Sequence, residues 1–193
     1  MHDVINQRFA RKAIEKGADG LIAVAAGAGG HAGALSPFAL IQETREWFDG
    51  PLALSGCIAN GASVLAAQAM GADFAYIGSA FIASKEANAA QAYKQMVVDC
   101  DADDIVYSDY FTGVSGNYLK PSIAAAGLDP SDLPKGDIAA MQKLTNEQSD
   151  AKAWKDIWGC GQGIGAIDQI QSVADRVTQL KQGYSAAKIR LTR

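Results

Sequence analysis

The sequence predicts an α/β fold in which a parallel β-sheet is covered by helices. Three observations support this prediction. Short, continuously apolar runs alternate with longer segments in which apolar residues recur at helical spacing. Glycine or proline stands at most of the boundaries between them. The links are short, and short links between alternating strands and helices are typical of right-handed parallel crossovers.

The first elements are a strand stub, a helix and a buried strand. Met1–Val4 has the residues of a strand end. Asn6–Lys16 has apolar residues at helical spacing, and Gly17 follows as a stop. Gly20–Ala26 is apolar almost throughout, which is typical of a strand covered on both faces in a parallel sheet.

Two further strand–helix units follow. Ser36 and Pro37 are a favourable N-cap and first helical residue, so we expect a helix from there to about Phe48. The other predicted elements are a strand over Pro51–Ser55, a helix over Ala62–Met70, a strand over Ala72–Ile77 and a helix over about Ala80–Met96.

The pattern changes after residue 100. An acidic stretch at Asp99–Asp104 precedes a segment rich in tyrosine, glycine and threonine, and prolines interrupt the chain beyond it. We expect an inserted cap with a helix over Ala139–Gln148, then a glycine-dense loop at Trp158–Gly165 and a closing helix over Ile170–Tyr184. The predicted division is 1–100 for the strand–helix units, 101–155 for a small helical cap segment, and 156–193 for the glycine-rich loop and closing helix.

Charge and composition exclude several classes of function. With 17 basic and 21 acidic side chains the net charge is −4, which offers no basic face to a nucleic acid. No run reaches the roughly 18 apolar residues of a membrane span, and no signal peptide is recognised. Three separated cysteines and two histidines suggest neither a disulfide framework nor a metal site. We therefore expect a reduced, cytoplasmic protein with no nucleic-acid or membrane partner.

A glycine-rich loop with one histidine is the sharpest local signal. The heptapeptide GAGGHAG at residues 27–33 begins where a predicted strand ends. Loops at the carboxyl ends of parallel strands form the active sites of α/β folds, and clustered glycines allow a ligand close to the backbone. His31 in this loop can exchange protons near neutral pH. The ordinary alternative is a tight turn with a solvated or packed histidine.

Two glycine turns, one strand–helix unit apart, predict an anion site. Gly56 follows the strand that ends at Ser55, and Gly78 with Ser79 follows the next strand. Backbone N–H groups at helix starts attract phosphate, and Ser79 adds a hydroxyl donor. The alternative is that both glycines only permit close packing of helix on strand.

Other interpretations of these residues are weaker. Ser55 and His31 do not form a hydrolase signature, because no G-x-S-x-G elbow surrounds the serine. The GQGIG sequence at 161–165 lacks the preceding apolar strand of a dinucleotide loop. Cys57 and Cys160 are typical of small buried residues rather than nucleophiles.

Taken together, these segments resemble the nitronate monooxygenases, formerly called 2-nitropropane dioxygenases. The resemblance rests on residues 20–33 (GLIAVAAGAGGHAG), 56–61 (GCIANG) and 71–83 (GADFAYIGSAFIA), and later segments such as GQG at 161–163 are similar too. It extends over nearly the whole chain. Flavin-dependent enoyl-acyl-carrier-protein reductases share much of it.

The resemblance implies a TIM barrel that holds FMN non-covalently and oxidises alkyl nitronates with molecular oxygen. The small-molecule partners implied are a nitronate, or a similar compound, and oxygen, and His31 corresponds to the catalytic base. The implied cofactor-binding residues are Gly29 and Gly30 beside the flavin, Ser55, Gly56, Cys57, Gly78 and Ser79 around the phosphate, and Gln162 and Gly163 closing over the site.

The chain has about four strand–helix units where a closed TIM barrel has about eight. We therefore expect an incomplete barrel that corresponds to the back half of the family fold, with exposed sheet edges and an apolar interior. The other half would lie on another chain, be replaced by a second copy in a homo-oligomer, or be missing. Two other functions stay open: NAD(P)H-dependent reduction of a quinone or enoyl thioester, and an inactive FMN-binding fragment.

Overall fold

Four parallel strands form the main sheet. In this computed structural model, which describes residues 1–135 and 156–193, they are β1 (His2–Val4), β2 (Leu21–Val24), β4 (Leu52–Ser55) and β5 (Phe74–Tyr76). They lie in the order β1-β2-β4-β5, and every neighbouring pair is parallel. The carboxyl ends of all four strands therefore meet at one edge of the sheet. The four predicted strands of this region are confirmed.

Three helices cover one face of this sheet: α1 (Gln7–Glu15), α2 (Pro37–Arg45) and α3 (Gly61–Ala69). Their starts follow from local chemistry. Asn6 caps α1, its side chain accepting from the Phe9 N–H at 3.0 Å, and α2 begins on a proline. The predicted helices of these three units are confirmed to within a few residues.

The two faces of the main sheet differ in what covers them. The leucines of β2 and β4 are fully buried against the three helices. The register pairs Ala53 with Phe74 and Ser55 with Tyr76, so these four residues share the opposite face. On that face Phe74 and Tyr76 are 57% and 56% exposed. The hydrophobic core therefore lies between the sheet and the helices.

A second, antiparallel sheet was not predicted. It comprises β3 (Gly30–His31), β6 (Ile105–Ser108) and β7 (Gly116–Leu119) in the order β3-β7-β6. Two of its strands lie in the segment expected to be a helical cap, of which the described part otherwise holds a 3-10 turn and the six-residue helix α6 (Lys120–Ala125). Because β3 has two residues and pairs with a strand far along the chain, no local periodicity indicates it.

The helix predicted over Ala80–Met96 is wrong as a single element. The chain forms α4 (Ser79–Ile82) and α5 (Gln91–Asp99), separated by irregular backbone. At this break the Ser84 hydroxyl donates to the carbonyl of Phe81 at 2.6 Å, and the Lys85 N–H donates to the Gln171 carbonyl at 2.9 Å. Contacts to a distant segment thus replace helix hydrogen bonds.

The last helix, α7 (Val173–Leu191), begins and ends later than predicted. Ser172 is its N-cap and accepts from the Asp175 N–H at 3.1 Å, which fixes the start. A 3-10 turn, Gln162–Ala166, stands before it in the glycine-dense loop. The helix predicted over 139–148 falls outside the described residues.

Across residues 1–135 and 156–193 the main sheet stays open, because β1 and β5 each pair with only one strand and no closed barrel forms.

No helix in these two ranges combines the length and the apolar character that crossing a bilayer requires.

Asp73 joins the start of β4 to the end of α2. Its carboxylate accepts from the Leu52 N–H and from the Arg45 guanidinium, both at 2.8 Å, and these contacts lower the pKa of Asp73 below its ordinary value of 3.8. A carboxyl whose pKa is depressed by folding stabilises the protein above its unfolded pKa. That stabilisation is lost as the pH falls through the folded pKa.

We expect Asp73→Asn to lower the free energy of unfolding near neutral pH by about 1 kcal/mol, a modest figure because the side chain is half-exposed. The difference from wild type should shrink in acid, below the folded pKa. Urea unfolding at both pH values measures it, with the exposed Asp49→Asn as control. If the difference in unfolding free energy between Asp73→Asn and the wild type does not change with pH, the contacts of Asp73 do not lower its pKa.

Candidate functional site

A cavity of about 370 Å³ lies at the carboxyl ends of the parallel strands. The loops after β2, β4 and β5 line it, together with the glycine-dense loop before α7. All the predicted site residues except His31 and Gln162 contribute to its wall. Those that do are Gly29, Gly30, Ser55, Gly56, Cys57, Gly78, Ser79 and Gly163.

The turn after β4 has a backbone conformation that few residues adopt. Gly56 has φ +136° and Cys57 has φ +55°, so both lie in the left-handed region. A Cβ on Gly163 would stand 2.9 Å from the carbonyl carbon of Cys57. Glycine at 163 thus allows the later loop to pack directly on this turn.

The turn after β5 is open toward the cavity. Apart from its chain neighbours, no described residue has an atom within 4 Å of the position that a Cβ on Gly78 would take. The Ser79 hydroxyl accepts from the Gly161 N–H at 2.9 Å and also forms a hydrogen bond with the side chain of Cys160. In the described part of the chain, the backbone N–H groups of Gly56, Cys57, Gly78 and Ser79 have no acceptor.

The loop after β2 is held by the loop before α7. The Gln162 N–H donates to the Gly27 carbonyl at 2.9 Å. A Cβ on Gly29 would stand 2.8 Å from the nitrogen of Gly161, so the two backbones touch. Gln162 therefore contacts the loop at Gly27 and is not among the residues that line the cavity.

His31 lies in a second cavity, of about 290 Å³, next to the first. The two share Gly30 and Gly159. The second cavity has apolar walls from Phe111, Tyr118 and Ile157. The ring of His31 is exposed, and its Nε2 stands 2.8 Å from the Thr112 hydroxyl. The predicted base and the predicted phosphate turns thus line adjoining cavities at one edge of the sheet.

Several residues of the site were missed by the sequence analysis. Tyr93 lines the first cavity, donates its hydroxyl to the Gly159 carbonyl and stacks on Trp158 with ring centroids 4.9 Å apart. Burial raises the pKa of the Tyr93 hydroxyl, so it stays protonated. Tyr76 also lines this cavity. Both tyrosines occupy ordinary positions in a helix or strand, and no motif marks them.

Asn117 of β7 supports the loop that carries His31. It is buried, and its amide donates to the Ala28 carbonyl at 2.7 Å. Its Oδ1 is buried without a hydrogen-bond partner within residues 1–135 and 156–193. The only signal available in the sequence is its place in a segment rich in polar and glycine residues.

The thiols beside the first cavity are neutral at physiological pH. The predicted burial is confirmed for Cys160 and wrong for Cys57, which is exposed. Desolvation still raises the pKa of the Cys57 thiol, and burial raises that of Cys160 to about 11. Neither thiol is therefore a ready nucleophile.

Comparison with known sequences gives a family-level match. The family model described as "Nitronate monooxygenase" matches residues 6–183. A "Probable nitronate monooxygenase" of Bacillus subtilis is 27% identical over 87% of this chain and 52% of its own length. A "Nitronate monooxygenase" of Paraburkholderia phytofirmans is 29% identical over 59% of this chain and 34% of its own. The chain spans about half the length of the longest-aligned curated relatives.

Solved structures show the same fold. A nitroalkane oxidase from Streptomyces ansochromogenes superposes with a TM-score of 0.75 at 24% identity, covering 98% of this chain and 58% of that one. FabK from Thermotoga maritima superposes with a TM-score of 0.74 at 22% identity, covering 98% and 62%. These likenesses confirm the predicted TIM-barrel type of α/β fold.

Proposed function

The chain belongs to the nitronate monooxygenase family, and from that premise we propose that it binds FMN in the first cavity and oxidises an alkyl nitronate placed in the second. One observation carries the proposal. The glycine turns after two hydrogen-bonded strands, β4 and β5, line a cavity that adjoins the cavity of His31.

The turns fit the phosphate of FMN. The backbone N–H groups of Gly56, Cys57, Gly78 and Ser79 have no acceptor among the described residues, so they can donate to an anion. A phosphate site needs such donors in its wall. Among the described residues, the space that a Cβ on Gly78 would enter is open, and a larger side chain at this position would fill it. The Ser79 hydroxyl can add a further donor.

The remaining wall residues are suited to a flat ring. Gly29 and Gly30 allow a ligand close to the backbone, and a Cβ on Gly30 would lie more than 4 Å from every described residue other than its chain neighbours. When bound, FMN would supply the redox chemistry, accepting electrons from the nitronate and passing them to molecular oxygen. The protein's own part is to bind, orient and exchange protons.

The second cavity is suited to an alkyl substrate and to proton removal. Phe111, Tyr118 and Ile157 offer an apolar surface to the alkyl chain. His31 at the edge of this cavity would take the α-proton of a neutral nitroalkane, which converts it to the nitronate. A substrate supplied as the nitronate needs no such step.

The proposal is tested by mixing the FMN-reconstituted chain anaerobically with a nitronate and, separately, with NADPH. We expect the nitronate to bleach the flavin absorbance and NADPH to leave it unchanged. The opposite result would favour the reductase alternative. Bound flavin that neither compound reduces would favour the inactive FMN-binding fragment, and a chain that stays colourless after reconstitution would overturn the proposal.

The same preparation addresses the question of partners. The chain spans about half the length of its relatives. Its molecular mass in solution and the number of flavins per chain should therefore be measured on the same sample. A dimer with one flavin per two chains would indicate that a second copy completes the barrel. A monomer with one flavin would indicate that the described turns suffice for binding.

Gly78→Val should weaken FMN binding by roughly tenfold or more, since its side chain would occupy the space proposed for the phosphate. Residue 78 lies outside the left-handed region that favours glycine, and a Cβ there meets no described atom within 4 Å, so folding should be preserved. Fluorescence titration of FMN measures the affinity. Gly78→Ala should have a smaller effect, and the exposed Ala66→Val, on the outer side of α3, should have none. Unaltered affinity in Gly78→Val would remove this turn from the site.

A further inference from the structure

We propose that Thr112 is a positioning residue that holds the proton of neutral His31 on Nε2 and leaves Nδ1 as the proton-accepting atom. The assignment of the tautomer rests on hydrogen-bond geometry alone. Its catalytic consequence rests on the function proposed above.

The two residues come from different parts of the chain and are brought together by the antiparallel sheet. His31 ends β3 and pairs with Gly116 of β7. Thr112 lies in the loop between β6 and β7, where the Gly113 N–H donates to the Asp109 carbonyl at 2.8 Å and Gly113 has φ +72°. This closed turn places the threonine hydroxyl 2.8 Å from Nε2 of His31.

Among residues 1–135 and 156–193 the hydroxyl of Thr112 has three hydrogen-bond partners, and their chemistry fixes its direction. It can donate one proton and accept two. The Val114 carbonyl, at 3.0 Å, can only accept, so the hydroxyl proton goes there. The Val114 N–H, at 3.4 Å, can only donate, so it takes one acceptor position. Only one acceptor position then remains for His31.

Nε2 of His31 must therefore be the donor. All three contacts of the hydroxyl are made at once only when Nε2 carries a proton. In the neutral imidazole the other nitrogen, Nδ1, then has the free lone pair. Because the ring is otherwise exposed, this hydrogen bond also limits its rotation. A base must present its lone pair in one direction, and Thr112 supplies that orientation.

The tautomer can be read directly by NMR on the full chain. The sequence has two histidines, His2 and His31, so a His2→Gln background leaves one imidazole. Long-range proton–nitrogen correlation at a pH where the ring is neutral identifies which nitrogen carries hydrogen. We expect only the Nε2–H form, with a proton signal that persists against exchange with water. A dominant Nδ1–H form would overturn the proposal, whether or not the chain proves to be an oxidase.

Two variants separate positioning from structure. Thr112→Val has nearly the same volume but no hydroxyl, whereas Thr112→Ser keeps the hydroxyl. We expect the valine variant to lose the persistent Nε2–H signal and to turn over a neutral nitroalkane about tenfold more slowly, the effect of one hydrogen bond. Its rate with the preformed nitronate should be unchanged. The serine variant should retain both the signal and the rate.

The outcomes distinguish this inference from the proposed function. Should the wild-type chain fail to oxidise a nitronate, the proposed function fails and the NMR result still decides the tautomer. Should the valine variant keep the wild-type signal and rate, Thr112 does not position His31. A loss of rate with both substrates alike would assign Thr112 a structural role and contradict the proposal.

Discussion

Replacing His31 with asparagine is expected to lower the turnover of a neutral nitroalkane by roughly 100- to 10,000-fold, the range that one general base contributes. The backbone of residue 31 pairs with β7 through main-chain groups, so the loop should keep its shape. Asparagine cannot accept the α-proton at neutral pH. FMN binding should be unchanged, because His31 lies outside the first cavity.

The substrate itself provides the control for this experiment. A preformed nitronate has already lost its α-proton, so its oxidation by His31→Asn should proceed at nearly the wild-type rate. Steady-state kinetics with both forms, together with the flavin content of each preparation, measure the two effects. If turnover of the neutral nitroalkane persists, another group removes the proton and His31 is not the base.

Gly61→Ala is expected to lower the free energy of unfolding by about 3 kcal/mol, the upper part of the range for overpacking. Gly61 begins α3 where that helix meets α7. A Cβ there would stand 2.0 Å from the Tyr184 nitrogen and 2.3 Å from the Leu180 carbonyl oxygen. Both are backbone atoms of a helix and cannot move aside without separating the two helices.

Two matched variants make this test specific. Gly183→Ala lies on the opposite side of the same contact, where a Cβ would stand 3.2 Å from the nitrogen of Gly61, so its cost should be smaller. Ala66→Gly, exposed on α3, should cost about 1 kcal/mol through helix propensity alone. Guanidinium unfolding gives all three values. A Gly61→Ala variant that is as stable as the wild type, or more stable, would show that the helices do not touch at Gly61.

The main sheet and its helices could be predicted because their signals are local. Gly20–Ala26 is an apolar run that a parallel strand requires, and Ser36 and Pro37 stand at the start of α2. Each signal lies within a few residues of the element that it specifies. The strand and helix predictions up to residue 77 therefore agree with the structure.

The antiparallel sheet and the break between α4 and α5 could not be predicted in the same way. β3 consists of two residues and depends on β7 for its hydrogen bonds. The break at Ser84 depends on a contact with Gln171. Both features are specified by residues more than 80 positions apart, which periodicity does not reveal.

The residues of the candidate site also divide into those marked by a local sequence signal and those that depend on distant parts of the chain. Gly56 could be identified because its positive φ restricts the residue type. Gly78, with φ −110°, could be identified only from its place after the next predicted strand. Thr112, Tyr93 and Asn117 could not, since their roles arise from single hydrogen bonds to distant parts of the chain. Threonine, tyrosine and asparagine are common in loops, helices and strands that have no such role.

The affinities of the purified chain for FMN and for riboflavin, which lacks the phosphate, show whether this site binds a phosphate. If the turns after β4 and β5 bind that phosphate, FMN should bind at least roughly tenfold more tightly, the effect of one charge-assisted hydrogen bond or more. In Gly78→Val the difference should largely disappear. Equal affinities of the wild-type chain for the two flavins would contradict the account.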